Sequence, residues 1–146
     1  MHRFAVTVLV GVGLVLCTPQ AGHAQAPARP AQVELNQNYP NPFNPATTIP
    51  FRLSEALFAN GHRPVVSMRI YNVLAQLVAI PTMQASGELL DGVALECREV
   101  RDGFCEFSAY WDGKYVGTDR DAASGVYVYQ LVVDGQRFSR RIVVLK

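Results

Sequence analysis

From Val33 onward almost every apolar run is short, alternates with polar positions and stops at a turn residue, which predicts an antiparallel all-β domain. Ile49, Phe51 and Leu53 alternate with Thr48, Pro50 and Arg52, so this strand has one buried face. Pro50 has no ladder donor, which predicts a sheet edge or a strand end. Val66, Met68 and Ile70 alternate with Ser67, Arg69 and Tyr71, "NVLAQ" interrupts, and Val78 and Ile80 resume, the pattern of a hairpin. A polar, glycine-containing connection from Pro81 to Gly92 leads to a strand over Val93 to Cys97. Phe107, Ala109 and Trp111 share one face of the strand after that, which stops at the turn residues Asp112 and Gly113. Only "SEALFAN", Ser54 to Asn60, has room for a helical turn.

The clearest element is "GVYVYQLVVDGQRFSRRIVVLK", where Asp134 and Gly135 form a strong two-residue hairpin signal. A two-residue loop there sets Leu131 opposite Phe138, Tyr129 opposite Arg140 and Tyr127 opposite Ile142. Turn chemistry and cross-strand pairing then agree. About seven short strands in this length point to a small immunoglobulin-like β-sandwich over residues 33–146.

"NQNYPNPFNPATTIPF", Asn36 to Phe51, breaks the alternation with four prolines, four asparagines and three aromatics. Pro40, Pro42, Pro45 and Pro50 each fix φ, lack an N–H and bias the preceding residue to extended conformations, so helix is excluded. Asn38, Asn41 and Asn44 are free to bond nearby backbone as Asx turns do, while Tyr39 and Phe43 need somewhere to pack. Disordered proline-rich linkers are poor in aromatics, so this segment is expected to be rigid.

The beginning of the 146-residue chain reads differently. Arg3, an apolar run from Phe4 to Cys17 and a small-residue exit form the layout of a secretory signal peptide over residues 1–24, too short for a comfortable membrane span. Cleavage between Ala24 and Gln25 puts Gly22 and Ala24 at the small-residue positions. Cleavage after Ala26 also fits the pattern but leaves Pro27 first. Lipid attachment at Cys17 is a rival that places bulky Leu16 where a small residue is usual. Residues 25–32, "QAPARPAQ", read as an exposed tether.

Arg3 is the only charge in the first 24 residues, so the 13 Lys+Arg and 12 Asp+Glu of the whole chain become 12 of each after export. That balance gives no basis for a nucleic-acid or anionic-membrane partner. Arg137, Arg140, Arg141 and Lys146 crowd into the last ten residues, either as one solvated strand face or as a docking surface. Cys97 and Cys105 form an even pair in a chain bound for an oxidising compartment, which predicts a disulfide. A two-residue turn at Asp102 and Gly103 would set Cys97 opposite Ser108, whereas a five-residue loop from Glu99 to Gly103 sets it opposite Cys105. The disulfide therefore predicts the longer loop.

Catalytic chemistry is thin. His62 is the only histidine after the signal peptide and sits in the turn-like "NGHRP", with no nucleophile setting nearby. Asp112, Asp119 and Asp121 share one loop and could serve a carboxylate pair or calcium, but turn formation explains them at lower cost and the spacing is not that of an EF-hand. Two cysteines and one histidine make a poor zinc set, and no Gly-rich phosphate loop is present. The chain reads as a non-enzyme without catalytic, metal or cofactor residues and without a small-molecule substrate.

Five pieces in order, "LNQNYPNPFNPATTIPFRL", "MRIYNVLAQLV", "YWDG", "SGVYVYQL" and "RRIVVLK", resemble the type A C-terminal sorting domain of type IX secretion cargo. That domain is similar in turn to the immunoglobulin-like domain of flagellar hook-capping proteins. The resemblance covers Leu35 to Lys146. It implies a β-sandwich exported by the general secretory machinery, recognised by an outer-membrane translocon, and delivered through the periplasm to the cell surface or the medium, often with removal of the domain. The positions it carries over are Asn38, Pro40, Asn41, Pro42, Phe43, Asn44 and Pro45, then Tyr71 and Asn72, then Trp111, Asp112 and Gly113, then Ser124, Gly125, Tyr127 and Leu131, and finally Lys146. On this reading the proline segment is a rigid lead-in with Tyr39 and Phe43 as plugs.

Two departures and one puzzle accompany the resemblance. Ala75 stands where the pattern has glycine, so a turn with φ > 0 there is expected to be strained or to take another form. The stretch from Gly87 to Phe104 is longer than the pattern. Only residues 25–32 separate the signal peptide from the domain, although a sorting tag normally follows a cargo. An immunoglobulin-like structural or adhesive module of a surface assembly is the alternative reading.

Overall fold

The structure, a computed structural model, describes residues 32–146. The expected signal peptide, its expected cleavage after Ala24 and the expected tether up to residue 31 lie outside the described residues. Among the described residues ten strands form two antiparallel sheets packed as a sandwich. One sheet has the order β1-β2-β8-β5 with β7 beside β8, and the other has β10-β9-β3-β4 with β6 beside β3. The long strands are β2 (Thr47–Ser54), β3 (Val65–Tyr71), β8 (Phe104–Trp111), β9 (Gly125–Val133) and β10 (Gln136–Val144). The short ones are β1 (Val33–Leu35), β4 (Leu77–Ala79), β5 (Thr82–Met83), β6 (Val93–Ala94) and β7 (Val100–Arg101). Seven strands were expected, and the excess lies in these two- and three-residue pieces.

Alternation produces the core directly. Ile49, Phe51 and Leu53 of β2 and Ala109 and Trp111 of β8 face Val66, Met68 and Ile70 of β3 and Tyr127, Tyr129, Leu131 and Val133 of β9, all buried. Each of these side chains larger than alanine stabilises by roughly 1.5–3 kcal/mol through the water it sheds. The β9–β10 register is the expected one: Leu131 faces Phe138, Tyr129 faces Arg140 and Tyr127 faces Ile142. Asp134 takes φ 46° and Gly135 φ 84°, the left-handed pair that a tight hairpin turn requires. Phe138 is only half-buried, at the far end of the face. The one run with room for a helical turn forms a 3-10 segment, Glu55–Gly61, which Ser54 caps by accepting from the Ala56 N–H.

Four expectations need correction. Val93 to Cys97 is not one strand: only Val93 and Ala94 pair, with β3. Cys97 and Cys105 are joined, with Cα atoms 5.6 Å apart, but not across a five-residue loop. Val100 faces Cys105 and Arg101 faces Phe104, so Asp102 and Gly103 form a two-residue turn. Strand pairing ends at Val100, which frees Cys97 from the register that would have carried it to Ser108.

The third correction is Ile80. The β3–β4 pairing shifts register between Ile70 and Tyr71, so Val78 and Ala79 both turn inward while Ile80 is only half-buried. The intervening turn keeps Ala75 in the left-handed region, φ 58°, despite its Cβ. Asn72 closes the turn by accepting from the N–H groups of Leu74 and Gln76 through its Oδ1. Ala75→Gly is expected to raise stability by about 1 kcal/mol, because only the alanine is strained there. A denaturant midpoint that falls would show that unfolded-state entropy wins.

Pro50 is the fourth. It occupies an interior strand, since β2 is flanked by β1 and β8. Thr48 exchanges both backbone bonds with Tyr39, and the Pro50 carbonyl accepts from the Asn36 N–H, so residues 48, 50 and 52 of β2 point their backbone groups toward the β1 side. The donor that Pro50 lacks would have served the Asn36 carbonyl. That carbonyl finds its donor in the opposite sheet instead, at Tyr129.

Candidate functional site

Pairing brings the five sequence pieces to one end of the sandwich. Gly125 pairs with Val144, Tyr71 with Val128 and Thr47 with Trp111, while Phe43 forms a parallel bridge to Val144. The end is therefore built from the start of β2, the ends of β3, β8 and β10, and the start of β9. Of the seventeen positions carried over, Leu131 stands apart, midway along β9 opposite Met68 and Phe138.

The proline segment crosses between the sheets. β1 pairs with β2 in one sheet, and eight residues later Phe43 donates to the Val143 carbonyl and accepts from the Leu145 N–H on the outer edge of β10 in the other. Asn41 reinforces that edge, its Oδ1 accepting from the Val143 N–H at 3.0 Å. The Tyr39–Pro40, Asn41–Pro42 and Asn44–Pro45 bonds are cis.

Phe43 is buried and its ring lies 5.1 Å from that of Trp111, which lies 5.9 Å from Tyr127. These three rings close the end of the core. The Trp111 indole donates to the Lys114 carbonyl at 2.9 Å, and Asp112 Oδ1 accepts from the Lys114 N–H at 3.0 Å, so the "WDG" turn fastens itself. Gly113 has φ 80° beneath Pro45, where a Cβ would stand 2.1 Å from the Pro45 carbonyl oxygen. No other residue type fits without moving the segment. Ser124 Oγ accepts from the Lys146 N–H at 2.9 Å and so holds the last residue.

Tyr39 corrects the plug expectation. It stays 59% exposed, while its neighbour Asn38 is buried. The Asn38 amide donates to the Pro40 carbonyl and to Thr47 Oγ1, and Thr47 Oγ1 donates to the same carbonyl. Pro40, Asn41, Pro42, Asn44 and Pro45 present themselves to solvent.

The residue that sequence reasoning missed is Tyr129. It is wholly buried on β9, yet its hydroxyl crosses the core, donates to the Asn36 carbonyl at 2.7 Å and accepts from the Asn38 N–H at 3.2 Å. It thus replaces the donor that Pro50 lacks, which is why a proline is tolerated inside the sheet. Burial raises the Tyr129 pKa above the usual phenol value. Tyr127 is pushed up to about 12, first by burial and then by the neighbouring Tyr115. The missed signal was a pair of facts: an inward tyrosine needs a partner for its hydroxyl, and a proline in a paired strand leaves a carbonyl without one.

Tyr129→Phe should cost about 2–3 kcal/mol, because it strands one buried and one part-buried backbone group and barely alters volume. The readout is the urea midpoint at unchanged m-value. A loss under about 0.5 kcal/mol would mean that water substitutes for the hydroxyl.

The carboxylates of the same end are spread apart. Asp119 lies 3.3 Å from Lys114 Nζ and Asp121 lies 3.6 Å from Lys146 Nζ. Among the described residues no three His, Cys, Asp or Glu side chains gather as a metal set. Lys146 is therefore partly tied to Asp121, whereas Arg141 is exposed and makes no ion pair among the described residues.

No family model matches the chain, nor does any curated protein or solved structure compared with it.

Proposed function

We propose that this chain is an exported, non-enzymatic sorting-type domain, recognised at an outer-membrane translocon through the end of the sandwich that Phe43, Trp111 and Tyr127 close. The observation that carries the reading is convergence. Sixteen of the seventeen positions on which the sorting-domain resemblance rests are scattered over a hundred residues of sequence, yet they meet at one end of the fold. Core packing alone gives the exposed Asn44, Asp112 and Ser124 no reason to gather with Phe43 and Trp111. A surface read by a partner does.

The finer fold reading, an immunoglobulin-like sandwich, has two supports. The orders β1-β2-β8-β5 and β10-β9-β3-β4 correspond to A-B-E-D and G-F-C-C′. Tyr127 also donates its hydroxyl to the carbonyl of Ala123, four residues upstream at 2.8 Å, as a tyrosine corner does at the start of strand F. The inter-sheet disulfide of antibody domains has no counterpart here, since Cys97–Cys105 ties a loop to β8. An adhesive or structural module would use the same fold through its open faces rather than this end.

The charged part of the proposal is tested by Arg141→Ala with Lys146→Ala. Exposed charges contribute about 0–1 kcal/mol, so Tm should hold while surface delivery falls. Full delivery with unchanged Tm would assign the basic cluster to a solvated strand face.

A further inference from the structure

The outer face of the β1-β2-β8-β5 sheet carries a row unlike its neighbours. Residues directly paired across antiparallel strands share a face, and the pairing runs Tyr39 to Thr48, Thr48 to Tyr110, Tyr110 to Thr82 and Thr82 to Leu89. Tyr39 and Tyr110 are 59% and 40% exposed, and Leu89 is exposed at the end of the row. Four residues along the same face, the corresponding row is Glu34, Arg52 and Glu106, charged throughout. The row between them holds Pro50 and Ser108. Only the first row interleaves aromatic rings with hydroxyls and carries no charge.

That row opens into a cleft of about 690 Å³ lined by Thr82, Leu89, Tyr110, Asp112, Tyr115 and Asp119 among others. Tyr115 is backed by the Arg120 guanidinium, 5.6 Å from its ring centre. We infer that the Tyr39–Thr48–Tyr110–Thr82 row and this cleft bind a linear, uncharged polysaccharide lying across the strands.

The chemistry fits at each step. Strands are spaced by 4.7–4.9 Å, so Tyr39 and Tyr110 stand roughly 10 Å apart, about the length of a disaccharide unit. A pyranose ring offers an apolar face of C–H groups, which an exposed tyrosine ring covers at little entropic cost. The sugar hydroxyls need donors and acceptors between those platforms, and the threonine rungs supply both. An uncharged row favours neither an anionic nor a cationic chain, while Asp112 and Asp119 at the cleft accept hydrogen bonds from further hydroxyls. A second copy of this chain is disfavoured, because a stable interface needs a contiguous apolar centre and this row alternates ring with hydroxyl. The inference does not rest on the sorting reading, although Asp112 belongs to both surfaces.

The test uses the full chain in native gels containing mixed-linkage β-glucan, hydroxyethylcellulose or galactomannan, with pull-down on microcrystalline cellulose and chitin. Retention on at least one of these is expected, with Tyr39→Ala and Tyr110→Ala each weakening it roughly tenfold and the double variant abolishing it. Tyr39→Phe with Tyr110→Phe keeps both rings and should keep most of the binding, which separates stacking from any change in folding. No retention on any of the five, full retention by the double alanine variant, or complete loss in the double phenylalanine variant would each overturn the inference. So would a dimer in native mass spectrometry that the alanine variants dissolve.

Discussion

Removing Arg140 to Lys146 is expected to unfold the domain outright. The deletion takes Ile142 and Val144 out of the core, leaves Tyr127 and Tyr129 without their partner strand, and removes both backbone bonds that hold Phe43. It also removes the Val143 N–H that Asn41 accepts from, so the proline segment loses its far anchor. Two large aliphatic residues alone represent about 4–8 kcal/mol by cavity arguments. A domain of this size holds about 5–15 kcal/mol in total. Circular dichroism should show no cooperative transition, and export should fail with it. A sharp transition within a few degrees of the parent would mean that β10 is an accessory strand.

Phe43→Ala is the largest single-residue effect expected, about 3–5 kcal/mol. Its ring is buried to 1% exposure between Trp111 and the Gly113 turn, at the joint of the two sheets. On the usual scale for small domains the loss corresponds to a fall in Tm of at least about 10 °C. Tyr39→Ala in the same segment should move Tm hardly at all, because that ring is mostly in water. The contrast between two aromatic residues four positions apart checks the orientation of the segment, and equal losses would contradict it.

How legible each element was in the sequence depends on where it gets its specification. The β9–β10 hairpin was legible residue by residue, since a two-residue turn and a period-2 pattern fix register locally. Burial of Phe43 was expected of a rigid, aromatic segment, and linkage of Cys97 to Cys105 of an even cysteine count in a chain read as exported. The region from Leu77 to Arg101 was not legible. Its strands are two or three residues long, and they pair because β3 and β8 are already in place; Leu90, wholly buried, has its carbonyl bound by the Met68 N–H. No local period announces such a contact. Pro50 and Tyr129 failed for a related reason: each violates a local rule alone, and only their meeting across the core satisfies both.

At the candidate site, the sequence named most of the residues but not their common location. Asn72, Asp112 and Ser124 look like independent turn formers along the chain, and Asn72 and Asp112 do fasten their own turns, whereas Ser124 holds the distant Lys146. Their gathering depends on sheet order, which strand patterns alone do not determine. The exposed Tyr39–Tyr110 row was invisible for the same reason, because its members come from four separate segments and the terminal Leu89 from a fifth.

The central claim is that this end of the sandwich directs delivery past the outer membrane. The direct measurement tracks the full chain in cells with a working type IX system and in the same cells lacking its outer-membrane translocon, using fractionation, surface protease accessibility and intact mass. The account predicts surface-exposed or released protein in the first and periplasmic retention in the second, with the signal peptide removed in both. The same distribution in both strains, or protein confined to the periplasm of each, would contradict it.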